Sequence, residues 1–93
     1  MIRSFADTET EKRFRRERLR WLQPDIQRTA LRKLVQLDAA IALDDLRVPP
    51  GNRLETLTGD RVGQHSIRIN DQWRVCFVWT SGGAEGVEIV DYH

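Results

Sequence analysis

The stretch "VPPGN" at residues 48–52 divides the chain into halves of different periodicity. Consecutive prolines remove two backbone donors and push the preceding residue out of helical geometry, so no regular element crosses them. Downstream, "RLETL" (53–57), "QHSIRIN" (64–70), "WRVCFVWT" (73–80) and "VEIVDYH" (87–93) read as strands, separated by the turn signals "TGDRVG" (58–63), "ND" (70–71) and "SGGAEG" (81–86). Connections this short join antiparallel neighbours. The second half is therefore predicted to be a meander of four strands.

Upstream, "IRSF" (2–5) alternates and reads as an edge strand. Asp7 fits a helix N-cap, with Glu9 and Glu11 in the first turn and cations beyond, the polarity a helix dipole favours. This first helix is expected to reach about Trp21 and to stop before Pro24; its thin apolar content (Phe14, Leu19, Trp21, Leu22) requires a packing partner. A second helix starts at Pro24 or Asp25 and carries Ala30, Leu34, Leu37 and Ile41, flanked by Leu31 and Val35, as a core-facing stripe. The expected fold class is α+β: a short N-terminal strand and two helices (1–46) packed on one face of a curled, mostly antiparallel sheet (52–93), all in one domain (1–93).

Alternation assigns faces to the strands. Val75, Phe77 and Trp79 form an apolar row, with Arg74 and Cys76 opposite, while Ile67 and Ile69 point away from Ser66 and Arg68. In the last strand Asp91 lies on the face opposite Tyr92, with His93 back on the Asp91 side, and the face away from the helices is expected to carry the arginines and the ionisable C-terminus.

Net charge is +1, but thirteen of the fifteen cationic side chains are arginine, and "KRFRRERLR" (12–20) sets six cations against one glutamate. Arginine's planar fork matches phosphate oxygens in pairs, so the composition leans towards a polyanion such as RNA. The bland alternative is a solvated helix face. No segment has the apolar length of a membrane span or a signal peptide, and the single Cys76 fits a reducing compartment, so a cytoplasmic protein is expected. Only two histidines and one cysteine are available, without ligand spacing, and the glycines match no phosphate-binding loop; neither metal nor cofactor is expected.

The remaining polar residues suit phosphodiester cleavage through the RNA's own 2′-OH. That chemistry needs a base, an acid for the leaving 5′-oxygen, and cations for the charge that develops. Glu55 or Asp91 qualifies as base and His93 or Tyr92 as acid. Arg53, Arg61, Arg68 and Arg74 qualify as phosphate clamps, and Arg16 and Arg20 in the basic segment as further RNA contacts.

The run "PPGNRLETLTGDRVGQHSIRINDQWRVCFVW…VEIVDYH", with the opening "MIRSF" and "KLVQLDAA", resembles the HigB-type toxins (plasmid maintenance system killer, GraT-like branch) of the RelE/ParE superfamily over nearly the whole chain. The resemblance implies a toxin of a type II toxin–antitoxin pair that cleaves mRNA on the ribosome. It also implies a HigA-like helix-turn-helix antitoxin, and a toxin–antitoxin complex that represses its own operon, touching operator DNA only as that complex. It maps the family's catalytic positions to Arg74, Asp91, Tyr92 and His93. This chain departs from well-studied relatives at "ETLT" (55–58), where they carry "HPLK": Glu55 replaces a histidine and Thr58 a lysine. Glu55 then becomes the candidate base, with Arg53 or Arg61 restoring the charge. Two further readings fit this pattern: a non-enzymatic gyrase binder of the ParE kind, and a weakened toxin acting mainly in operon autoregulation.

Overall fold

In the computed structural model, which describes residues 1–91, α1 (Thr8–Phe14) and α2 (Pro24–Ala39) precede strands β1 (Glu55–Thr56), β2 (His65–Arg68), β3 (Trp73–Thr80) and β4 (Gly83–Asp91). The strands form one antiparallel sheet in the order β1-β2-β3-β4. With the two helices packed against it, this is the α+β architecture expected from the sequence. Register aligns Ile67 with Val75 and Val75 with Ile89, so the predicted apolar row runs across three strands. Those residues, Phe77 and Val87 are buried with Ala30, Leu34 and Leu37 of α2. Each large side chain so placed contributes about 1.5–3 kcal/mol.

Several local expectations are corrected. Residues 2–5 do not form a regular strand; Ile2 and Phe5 make isolated parallel bridges to Ala84 and Val87 beside β4. The approach is close enough that a Cβ on Gly83 would lie 2.1 Å from the Met1 carbonyl oxygen, so only glycine fits there. β4 also starts at Gly83, inside the predicted turn, and accommodates its extra length as a bulge opposite Phe77, where Gly86 has φ 59°. The predicted strand 53–57 reduces to the two residues of β1.

The largest correction concerns α1. Asp7 does cap it, accepting the Thr10 N–H at 2.6 Å, and Thr10 Oγ1 accepts the Ile89 N–H at 2.9 Å, fastening α1 to β4. The helix stops at Phe14 rather than Trp21, and Arg16 adopts a left-handed backbone with φ 71°. The reason lies in α2. The buried Gln27 carboxamide donates to the Leu19 carbonyl and, at 2.8 Å, to the Leu22 carbonyl, and accepts from the Leu19 N–H and from Arg13 Nη1. These bonds serve backbone groups that a continued helix would have served itself, and they let Leu19 and Leu22 enter the core. α2 in turn ends at Ala39, which leaves Ile41 at 92% exposure instead of on the apolar stripe.

Candidate active site

β3 presents Arg74 on the face turned away from the helices, and the sheet register gathers its surroundings. Glu55 pairs with Ser66, Ser66 with Cys76, and Cys76 with Glu88; one row along, Arg68 pairs with Arg74 and Arg74 with Val90. Arg74 is only 7% exposed. Its Nε donates to Ser66 Oγ at 2.7 Å, its Nη2 donates to the Arg53 carbonyl at 2.6 Å, and Nη1 lies 3.6 Å from Glu55 Oε1. A buried guanidinium needs partners for its donors, and this one has a hydroxyl, a carbonyl and a carboxylate in a fixed fork.

The Arg53 carbonyl reaches Arg74 because Arg53 sits in the left-handed region (φ 45°, ψ 58°) at the end of the turn Pro50–Asn52. That turn is anchored from within. Asn52 is fully buried, its amide donates to the Leu46 carbonyl at 3.1 Å, and Lys33 of α2 donates to its Oδ1 at 2.5 Å. Burial, followed by the nearby charges of Arg32 and Arg68, pushes the Lys33 ammonium below its ordinary pKa. α2 thus reaches through the loop to the carbonyl that orients Arg74.

The other predicted site residues fall in different places. Glu55 is exposed on the edge strand beside Arg74. Arg61 pairs with Glu88 at 2.6 Å and also donates to Gln64; Arg68 pairs with Asp71. The Arg53 side chain is exposed, and its contribution to the cluster is the carbonyl. Asp91 pairs in register with Trp73, one residue out of phase with Arg74, and accepts from Gln72 Nε2 at 3.1 Å. It therefore shares the phase of Val87 and Ile89 and does not lie on the arginine face expected for the ionisable C-terminus. Tyr92 and His93 lie outside the described residues. Arg16 and Arg20 are exposed in the segment between α1 and α2, remote in sequence from the sheet cluster.

Burial raises the Cys76 thiol pKa; Arg61 and Arg74 oppose that shift and Glu88 adds to it, so the thiol stays protonated and unreactive at neutral pH. Among the described residues no three His, Cys, Asp or Glu side chains gather as a metal-binding set, and no helix is long and apolar enough to cross a membrane. Sequence reading missed Lys33, Asn52 and the Arg53 carbonyl as partners of this cluster. Nothing in local spacing links residues nineteen positions apart. Ser66 was visible by alternation as a resident of the same face, though not as a ligand of Arg74.

Two helices packed with a four-stranded antiparallel sheet are consistent with a RelE-like fold, and comparison with known proteins agrees. The profile of the HigB-like toxins, described as the RelE-like toxin of type II toxin-antitoxin system HigB, matches residues 3–93. Toxin HigB-1 of Vibrio cholerae serotype O1 (strain ATCC 39315 / El Tor Inaba N16961) is 48% identical over 68 residues, covering 73% of this chain and 72% of that protein. The chain belongs to the HigB-like toxin family. As a type II toxin it has an antitoxin as its partner.

Proposed function

We propose that this chain, acting as one RelE-like domain, is a metal-independent endoribonuclease that cuts mRNA on the ribosome and so inhibits translation. The observation that carries the reading is Arg74: a guanidinium 7% exposed, aimed by Ser66 and the Arg53 carbonyl, with Glu55 beside it. A cation fixed before substrate arrives stabilises the charge that develops on phosphate without reorganisation at the moment of reaction. In the proposed step Glu55 takes the 2′-OH proton, the 2′-oxygen bonds to phosphorus, and the phosphorus–O5′ bond breaks. O5′ takes a proton from Tyr92 or His93. The products are a 2′,3′-cyclic phosphate and a 5′-hydroxyl. Asp91, at the end of β4, serves with Tyr92 and His93, and Arg53, Arg61 and Arg68 serve as phosphate contacts.

The antitoxin in this reading is a HigA-like helix-turn-helix protein, operator DNA is met only through the complex, and the pair works in the cytoplasm. A second reading, a weakened toxin serving mainly in operon autoregulation, draws on the charges. Arg61 and Arg68 are each matched by a carboxylate, and Thr58 supplies no cation.

The test is to incubate purified protein, and a form lacking His93, with a programmed ribosome and to map 5′-ends by primer extension. Cuts by the intact protein that disappear on deletion are expected. No cuts from a protein that binds its antitoxin and the operator would overturn the nuclease reading in favour of the regulatory one.

A further inference from the structure

Between α1 and α2 the chain displays polar and aromatic groups on a rigid support. Leu19 and Leu22 are buried at 2% exposure each, and their backbone groups are held by Gln27, while Arg18, Arg20 and Trp21 point outward. Trp21 is 44% exposed and rests on Trp73, with ring centroids 5.3 Å apart and planes tilted by 49°. Trp73 immediately precedes Arg74 and pairs in register with Asp91, so the aromatic pair sits on the helix side of the sheet, at the end of β3 that carries Arg74 on the opposite face. Gln27 ends the helix early so that Leu19 and Leu22 enter the core, and the same turn leaves Trp21 half exposed next to Arg20.

We infer that Arg18, Arg20 and Trp21, backed by Trp73, form a subsite for single-stranded RNA that reaches the cleavage site around the end of β3. One base stacks on the open face of Trp21 and the flanking phosphates meet Arg18 and Arg20. Single-strand binding sites combine these two elements, a cationic track and an aromatic ring for the base. The support is preorganised, so little ordering entropy is lost when RNA binds. The inference rests on the RNA-cleaving reading, which it deepens by placing a flanking nucleotide.

The probe is a short 2′-O-methyl oligoribonucleotide, which cannot be cut, titrated into the purified full chain and followed by fluorescence anisotropy of a 5′ dye. Trp21→Ala is expected to weaken binding by about fivefold or more, the lower end of what one stacked base contributes, and Trp21→Phe to restore most of the loss. Because Trp21 is half exposed, the alanine variant should melt close to the parent, which separates lost binding from lost fold. Equal affinity of parent and Trp21→Ala overturns the subsite, as does a parent that shows no binding. Weaker association of Trp21→Ala with the antitoxin at unchanged oligonucleotide affinity overturns it too, assigning the surface to protein. Failure of the nuclease reading shows separately: the parent then makes no ribosomal cuts, whatever Trp21 does to oligonucleotide affinity.

Discussion

On the sheet, Arg74 is almost wholly buried and its guanidinium is divided among Ser66, the Arg53 carbonyl and Glu55. In the loop between the helices, Arg16, Arg18 and Arg20 stand in solvent, while Arg13 of the same basic run turns inward to Gln27 at 2.7 Å. One residue type is used in two ways. A buried guanidinium held by a hydroxyl, a carbonyl and a carboxylate has one orientation and little reach, which suits charge stabilisation at a single phosphate. Exposed arginines keep their rotamers and hydration, which suits a flexible polyanion whose path varies. Burial has a cost even where the fold tolerates it: desolvation first, then the charges of Arg16 and Arg18, lowers the pKa of Arg13.

Breaking the sheet side should have the largest effect. Arg74→Ala is expected to abolish growth inhibition and to slow cleavage by about 100-fold or more, the scale of losing one preorganised charge donor. Arg74→Lys should be nearly as poor, because one ammonium cannot reach Ser66 Oγ and the Arg53 carbonyl in the same fork. Unchanged toxicity in folded Arg74→Ala would remove the residue from the site.

Next comes the support of the loop. Gln27→Leu deprives Arg13, both backbone groups of Leu19 and the Leu22 carbonyl of their partner, and is expected to cost about 2–4 kcal/mol in urea unfolding. A loss below half a kcal/mol would mean that the loop holds itself.

The exposed arginines should matter less, and differently. For single-stranded nucleic acid each phosphate contact contributes about 0.7 to the slope of log affinity against log salt, so replacing Arg18 and Arg20 by alanine should flatten that slope by about 1.4. An unchanged slope would return these residues to the status of solvated surface.

The smallest effect is a pH dependence at Cys76. Its folded pKa lies above the unfolded value of about 8.5, so the unfolded chain releases this proton first as pH rises. The contribution is fully present below pH ~8.5 and is lost as pH climbs from there through the folded pKa. The melting-temperature difference between parent and Cys76→Ala should accordingly shift against the parent above that pH; no shift would contradict the raised pKa.

How much of this was legible depended on the range of the interactions. The faces of β2 and β3 followed from alternation alone, and α2 from Ala30, Leu34 and Leu37, because each rests on neighbours two to four residues away. The end of α1 did not, since the group that replaces its missing hydrogen bonds is Gln27, a side chain of the next helix. Ile41 was misplaced because α2 turns extended at Ala40 (φ −68°, ψ 132°), just before the stripe would have continued. Arg74 was recognised through the family pattern, but its fork was not, since it depends on the left-handed Arg53 and on Lys33 gripping Asn52. Asp91 was grouped with the arginine face as part of the ionisable C-terminus, although its spacing from Val87 and Ile89 already gives the phase that the register with Trp73 shows.

The division of labour between the two arginine regions is tested most directly by single-turnover cleavage of mRNA on programmed ribosomes, measured across a range of toxin concentrations. Arg74→Lys is expected to lower the plateau rate and to leave the half-saturating concentration in place. The reverse is expected for the Arg18→Ala, Arg20→Ala double variant: an unchanged plateau reached only at higher concentration. Both variants moving the same parameter would contradict the claim that the sheet performs the chemistry and the loop holds the RNA.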